Sequence, residues 1–429
     1  MKSGDAMERT TCCVIGGGPA GLMLGLLLAR AGVEVTVLEK HGDFLRDFRG
    51  DTVHPSTLQL LDELGLGERF AALPQSKVRE VGFPVDESQR LMVVADFRRL
   101  RRLGVRHPYI AMVPQWDFLN LLADVGAAEP TFHLRMRTEA TELLHGPDGR
   151  VSGVRYRTAD GETGELPADL TVACDGRTSM ARAAARLPVH EYAVPLDAWW
   201  FRLPRRDGEE MSALSPRMSD RRFGILIPRE GYFQIAYIAG KGTDAQLRGR
   251  GVEAFRADVA ELAPELADRV DELSSMDEVQ HLDVRLNLLR RWHAPGLLCI
   301  GDAAHAMSPV GGVGINLAVQ DAVATAALLA RPLRAGTVTG RDLARVRRRR
   351  LLPTVLVQAL QRLLHRAVVT PILQGRRGGP PRPVQAVVRR VPAVSIVPAL
   401  LIGVGLRPEH IPAFARRAAG AQRDQSMSA

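Results

Sequence analysis

No stretch of this sequence reaches the ~20 uninterrupted apolar residues that a membrane-spanning helix needs. The nearest, Val391–Leu406, is broken by Pro392, Pro398 and two glycines. The early apolar run Leu22–Ala29 follows a glycine-rich turn and has neither a basic lead-in nor a cleavage site, so it does not read as a secretory leader. The expected location is cytoplasmic, with contact to a membrane surface disfavoured. Cysteine is scarce. Cys12, Cys13, Cys174 and Cys299 show no metal spacing, and each sits in an apolar, strand-like run. That argues against a disulfide framework or a thiolate metal centre, so no metal is expected; these read as small core residues of a reducing compartment. Aromatic residues make up 5% of the chain and do not interleave with its arginine clusters, which argues against a platform for single-stranded nucleic acid.

What is present supports a large folded protein. The chain has 429 residues, 46% of them apolar, enough for two or three domains or one discontinuous one. The formal charge is +9, and the excess is mostly arginine in three clusters, Arg98–Arg106, Arg341–Arg350 and Arg376–Arg390. These read as solvated basic faces; an acidic partner, a membrane surface or an anionic cofactor are the other readings.

Two glycine corners stand about 280 residues apart. In the first, the run Thr11–Ile15 meets GGGPAG at Gly16–Gly21, then a helix-like segment stopped by Gly32, then VEVTVL ending in Glu39. Gly16, Gly18 and Gly21 fit G-x-G-x-x-G: a tight turn, close approach of a pyrophosphate to the backbone, and close helix–strand packing. Glu39 stands where an acid accepts from a ribose hydroxyl, and an acid there favours an unphosphorylated adenosine ribose. In the second corner, Leu297–Ile300 ends in Gly301-Asp302, followed by a loop with Pro309, Gly311, Gly312 and Gly314 and a helix from about Ile315. A third element, Cys174-Asp175-Gly176-Arg177-Thr178-Ser179, delivers a carboxylate and a turn from the end of a strand.

Elsewhere the periodicity predicts a helix over Thr57–Gly65 capped by Ser56 or Thr57, and a β-meander from Thr131 to Thr158. It also predicts an antiparallel sheet within 190–240 (DAWWFRL, RFGILIP, GYFQIAYI), a helix over 251–272, a strand over 279–289, and helices after Asp321 with a break at Gly375–Pro383.

The trio GGGPAG…LEK, CDGRTSMAR and GDAAHAMSPVGGVGINLAVQDA resembles the para-hydroxybenzoate hydroxylase-type (group A) FAD monooxygenases. Its motifs span residues 14–322. The resemblance implies an α/β fold: a Rossmann-like FAD-binding domain of the glutathione-reductase type, an inserted mixed or antiparallel β-sheet substrate domain, and a C-terminal helical segment. The implied limits are 9–82, 105–182 and 283–335 for the FAD-binding domain, 83–104 and 183–282 for the substrate domain, and 336–417 for the helical region. It further implies that Gly16, Gly17, Gly18, Pro19, Ala20 and Gly21 hold the FAD pyrophosphate. Glu39, with Lys40 beside it, would hold the adenosine ribose. Arg49 would lie against the cofactor, Gln115 would contact its ribose or pyrophosphate, and Asp175 would help position it. Asp302 would bind the ribityl chain, while Pro309 and the amides of Gly312, Val313, Gly314, Ile315 and Asn316 face the isoalloxazine. Arg49 and Pro309 are the candidates nearest the chemistry. His305 is expected to order the loop rather than act as a base, and His54 to cap a helix or face solvent.

On the substrate side, Trp200 and Arg202 share one face of a strand and Trp199 and Phe201 the other; Phe223, Ile225, Phe233 and Ile235 are similar candidates. Substrate contacts are assigned to Trp200, Arg202, Phe223 and Phe233. The pocket reads as apolar, so a largely hydrophobic substrate, aromatic or of polyketide type, is more natural than a small charged benzoate. The implied reaction is hydroxylation or epoxidation by O2 through a C4a-hydroperoxyflavin, with FAD bound and NAD(P)H a transient co-substrate, in a monomer or homodimer. Two other readings stand beside it: an FAD-bound redox-neutral cyclase of natural-product biosynthesis, and a membrane-associated quinone-pathway hydroxylase. The sequence has no W-x-W-x-I-P, which disfavours a flavin halogenase.

Overall fold

The computed structural model describes residues 9–45, 51–84, 91–209, 214–219, 222–376, 385–386 and 390–417. Arg49, the break after Arg376 and most of Arg376–Arg390 lie outside the described residues.

Strand β1 (Thr10–Ile15) feeds helix α1 (Pro19–Arg30) through the first glycine corner. Pro19 suits the first helical position because its fixed φ is already helical and its missing N–H would have no partner there. Strand β2 (Val35–Leu38) returns parallel to β1, with Val14 opposite Val37. Helix α2 (Pro55–Glu63) begins before the expected Thr57, with His54 at the N-cap position. Ser56 and Thr57 are inside it because Pro55 starts the turn, and the Thr57 hydroxyl donates instead to Asn316 Oδ1 at 2.7 Å.

Helix α3 (Gln115–Ala127) leads to β3 (Phe132–Arg135), which pairs parallel with β2 and does not open the expected meander. Phe132 explains the choice. It packs into the space left by Gly25 and Gly126, where an added Cβ would meet its ring at 2.7 Å. Only β4 (Thr138–His145), β5 (Val151–Thr158) and β6 (Thr163–Ala173) form the antiparallel succession.

A separate five-stranded antiparallel sheet is built from β7 (Leu196–Pro204), β8 (Ser215–Ser219), β9 (Arg222–Pro228) and β10 (Tyr232–Gly240). Helix α4 (Gly251–Leu262) follows, then the fifth strand β11 (Gln280–Leu282); the order is β8-β9-β10-β7-β11. Strand alternation splits its side chains between two faces. Trp199, Phe201, Leu203, Phe233, Ile235 and Tyr237 pack against Phe255, Val259 and Leu262 of α4. Each such buried side chain contributes roughly 1.5–3 kcal/mol. Trp200, Phe223, Ile225 and Ile238 face away from that core.

Strand β12 (Leu297–Cys299) completes the first sheet beside β6. Its parallel order β12-β6-β1-β2-β3 places β1 and β6 at the centre. The C-terminal part is helical: α5 (Gly314–Arg334), α6 (Gly340–Leu364), closed at its start by a Thr339/Asp342 capping box, and α7 (Ile396–Gly403). Among the described residues no helix is long and apolar enough to cross a membrane.

The arginine clusters are not simply solvated. Arg350 is 1% exposed, with its Nε 2.9 Å from Asp321 and its Nη1 3.4 Å from Glu409. Arg98 pairs with Asp96 and Glu80. A buried guanidinium is kept only where carboxylates replace its water, and the two partners of Arg350 lie 29 and 59 residues away in sequence.

Candidate active site

The central strands β1 and β6 end side by side, the position at which open α/β sheets bind ligands. Gly16 adopts φ +101°, and a Cβ there would lie 2.6 Å from the Cys174 carbonyl oxygen. The first glycine corner and the CDGRTS turn are therefore in backbone contact. Glu39, at the end of β2, accepts from the amides of Gly17 at 2.8 Å and His41 at 2.9 Å. Gly18 is the N-cap residue of α1; no side chain caps this end and its first turn holds no acid. The exposed amides of that turn and the helix dipole favour an anion. Asp175 has one oxygen buried without a partner, Oδ1, and the other accepting from Ala181 N–H at 3.3 Å. Burial raises its carboxyl pKa, against the lowering effect of Ser179 and nearby amides.

The second corner is braced from several sides. Asp302 lies in a single 3-10 turn after β12, its carboxylate 3.5 Å from Arg177 Nη2. The Thr52 hydroxyl donates to the Gly312 carbonyl at 2.6 Å. Asn316 accepts from His54 N–H at 2.9 Å and donates to the carbonyls of Thr52 and Gly312. Its side chain is thus spent on holding the loop. His305 is buried with Nε2 2.5 Å from Asp321, which is also paired with Arg350. His54 is fully buried, not exposed; its Nδ1 lies 2.8 Å from the Ile402 carbonyl, and burial pushes its pKa down to about 4. Gln361 of α6 donates to the carbonyls of Ser308 and Val310, both at 2.8 Å.

One cavity of about 1590 Å³ runs through all of this. Gly16, Gly18, Pro19, Ala20, Glu39, Lys40, Gln115, Asp175, Asp302, Pro309, Gly312, Gly314 and Ile315 line it. Gly17, Gly21, Val313 and Asn316 stand behind the lining; Gly21 lies against the Gly16 carbonyl, where a Cβ would be 1.9 Å from the oxygen. Of the substrate candidates, Trp200 and Phe223 line the cavity. Phe233 does not: it shares the face of Leu203 and is buried in the α4 core. Arg202 is exposed beyond the chamber, its guanidinium 4.8 Å from the Tyr232 ring and 5.8 Å from that of Trp116. Ile235 likewise faces α4. The cavity exceeds the ~300–1,000 Å³ of a usual single-ligand site. An uncapped helix start, an orphaned carboxylate oxygen and a length shared by both corners fit a long anionic dinucleotide with a second ligand beside it.

Comparison with known proteins agrees with that geometry. The model of a family described as "FAD binding domain" matches residues 9–358. The chain belongs to this FAD-binding family. It is 34% identical over 401 residues to the 6-methylpretetramide 4-monooxygenase of Streptomyces rimosus, covering 90% of each chain. The solved anhydrotetracycline hydroxylase OxyS of Streptomyces rimosus superposes with a TM-score of 0.70 at 24% identity, over 94% of this chain and 77% of that one. The Diels-Alderase PyrE3 superposes with a TM-score of 0.72 at 21% identity, over 94% and 82%. These two likenesses show the fold. Together with the first relative, family membership makes this an FAD-dependent monooxygenase that uses NAD(P)H.

Sequence reasoning missed a whole wall of the monooxygenase's cavity. Leu360 and Leu364 at the end of α6 and Val368 just after it, with Pro398 and Ile402 of α7, line it. The apolar second half of α6 was the available signal, but only tertiary packing shows where that face turns.

Proposed function

We propose that this monooxygenase hydroxylates a largely hydrophobic, polycyclic aromatic molecule of polyketide type. The observation that carries the reading is the chamber beyond Pro309. Trp200, Phe223, Ile225, Ile238, Leu364 and Ile402 line the cavity there, all of them apolar or aromatic side chains. An apolar enclosure pairs poorly with a carboxylate, whose desolvation would go uncompensated. The name of the relative from Streptomyces rimosus, a 6-methylpretetramide monooxygenase, supports the same class.

In this reading the amides at the start of α1 hold the FAD pyrophosphate, Glu39 the adenosine ribose, and Asp302 the ribityl chain. Pro309 and the Gly312–Asn316 amides lie along the ring. Arg49 keeps its proposed place against the cofactor. When bound, FAD supplies hydride acceptance and oxygen activation. The protein's own part is to hold the substrate against the ring and keep water out, which the apolar walls do. The Asp51–Arg229 pair, buried and 2.5 Å apart, fastens the Thr52 segment to the end of β9 and so fixes the chamber against the cofactor site.

NAD(P)H oxidation by the FAD-loaded protein tests this. A hydroxyanthraquinone should stimulate oxidation and yield hydroxylated product, and 4-hydroxybenzoate should not. Stimulation by the benzoate alone would overturn the substrate class. The likeness in fold to a Diels-Alderase supplies the second reading, and turnover without NAD(P)H, flavin staying oxidised, would favour it.

A further inference from the structure

The outward side of α6 changes character along its length. Arg341, Arg345 and Arg348 are exposed in its first half, and Leu352, Val355, Leu356 and Leu363 in its second. At 3.6 residues per turn these seven positions fall within about a third of the circumference. They form one stripe, basic at one end and apolar at the other. A second exposed apolar edge, Val391, Val394 and Val397, lies at the start of α7. Single apolar residues on a surface carry no message, but a concentration of them does. Seven of the eleven large apolar side chains exposed among the described residues stand on these two segments. The chamber opens between them: Leu363 is 60% exposed, Val394 is 37% exposed, and both line the cavity.

The charge of this region has one sign. Residues 343–408 hold thirteen arginines and neither aspartate nor glutamate. Part of that charge is answered from elsewhere: Glu409 pairs with Arg349, Asp321 with Arg350, and Arg362 stacks on Tyr192. Arg345 reaches Asp342 at 3.7 Å. Arg341, Arg348 and, just past the end of α6, Arg366 are exposed and have no acidic partner among the described residues.

We propose that this face seats the protein on an anionic lipid surface. Helix α6 lies along that surface, with Leu352, Val355, Leu356 and Leu363 entering the acyl boundary and the arginines at the level of the headgroup phosphates. The arginine stem covers apolar surface while its guanidinium stays with the phosphates, and each guanidinium can bind two phosphate oxygens at once. The mouth between Leu363 and Val394 then faces lipid, and a lipophilic ligand reaches the chamber without crossing water. The docking stands on the exposed face alone; entry of substrate from the lipid rests on the polycyclic hydroxylase reading. The lack of a spanning helix does not bear on this mode, in which α6 lies on the membrane and does not cross it. Two other occupants fit less well. A second copy would set these arginines against arginines or leucines with no carboxylate on either side, and a guanidinium buried without one is costly. An acidic protein would pair the arginines but close the mouth.

The test is flotation of FAD-loaded protein with vesicles of phosphatidylcholine alone, or of phosphatidylcholine mixed with phosphatidylglycerol; retained flavin absorbance reports folding of each variant. The wild type should float with the mixed vesicles at low ionic strength, not with phosphatidylcholine alone, and should be released progressively as salt rises. Arg341→Gln/Arg348→Gln/Arg366→Gln should weaken partition about 100-fold, about fivefold for each arginine. The residues of Leu352→Ser/Val355→Ser/Leu356→Ser do not line the cavity. This variant should weaken partition about 10-fold or more and leave NAD(P)H oxidation without vesicles unchanged. No flotation of the wild type, equal flotation with neutral vesicles, or flotation unchanged in both variants would overturn the proposal. Self-association that the serine variant abolishes, without vesicle binding, would overturn it in favour of a second copy. Salt-sensitive binding to polyglutamate, with none to vesicles, would overturn it in favour of an acidic protein. Flotation is read without turnover, so its failure leaves the hydroxylase reading untouched.

Discussion

Replacing Gly16 and Gly18 separately by alanine distinguishes two demands that the first glycine corner meets. At Gly16 the backbone is left-handed, φ +101°, and a Cβ would sit 2.6 Å from the Cys174 carbonyl oxygen. A left-handed conformation costs an L-residue roughly 1–2 kcal/mol, and overpacking against fixed backbone adds about 1–3 kcal/mol. Gly16→Ala should therefore destabilise the protein without cofactor by roughly 2–5 kcal/mol and also weaken FAD binding, because it forces β1 and β6 apart at the site. Gly18 has φ −79° and nothing within 4 Å of its Cβ position. Gly18→Ala should leave the cofactor-free protein nearly as stable as the wild type. Its methyl group would meet the incoming pyrophosphate, at a cost of about 1–3 kcal/mol, or roughly 5- to 150-fold in FAD affinity. The assays are denaturant unfolding of the cofactor-free proteins and FAD titration by flavin fluorescence. Equal destabilisation by the two substitutions, or wild-type FAD affinity in Gly18→Ala, would refute the reasoning.

Three further outcomes are expected. Trp200→Ala should raise KM for a hydroxyanthraquinone with little loss of stability, whereas Phe233→Ala should cost about 3–5 kcal/mol of stability and leave KM unchanged; steady-state kinetics and thermal melts separate the two. Asp321→Asn should destabilise by about 3–5 kcal/mol, because it leaves the buried Arg350 short of a carboxylate, and a melt measures it. Burial alone would raise the Asp321 carboxyl pKa, but His305 and Arg350 outweigh it and hold the carboxyl below its usual value. Its contribution is thus present above the ordinary carboxylate pKa near ~4 and lost as pH falls below it, so the acid limb of a Tm–pH curve should be shallower in Asp321→Asn.

The parts of the fold that could be read from sequence were those specified locally. Gly16–Gly21 between a β-branched run and an apolar helix, and Gly301–Ile315 after Leu297–Ile300, declare strand–turn–helix corners by themselves. The alternation of Leu196–Pro204 separated Trp200 from Trp199 but could not say which faced the ligand. That depended on α4 covering the face with Trp199 and Phe233. Arg350 looked like part of a charged helix face because its partners, Asp321 and Glu409, are 29 and 59 residues away. Phe132 joined the parallel sheet because two glycines, the nearby Gly126 and the distant Gly25, leave room for its ring.

The most direct test of the central claim is mass analysis of product formed from heavy-isotope dioxygen by FAD-loaded protein with NAD(P)H and a hydroxyanthraquinone. Incorporation of one heavy oxygen atom, dependent on NAD(P)H, is the expected result. An unlabelled product, or the same product formed without NAD(P)H, would contradict a monooxygenase acting in this chamber.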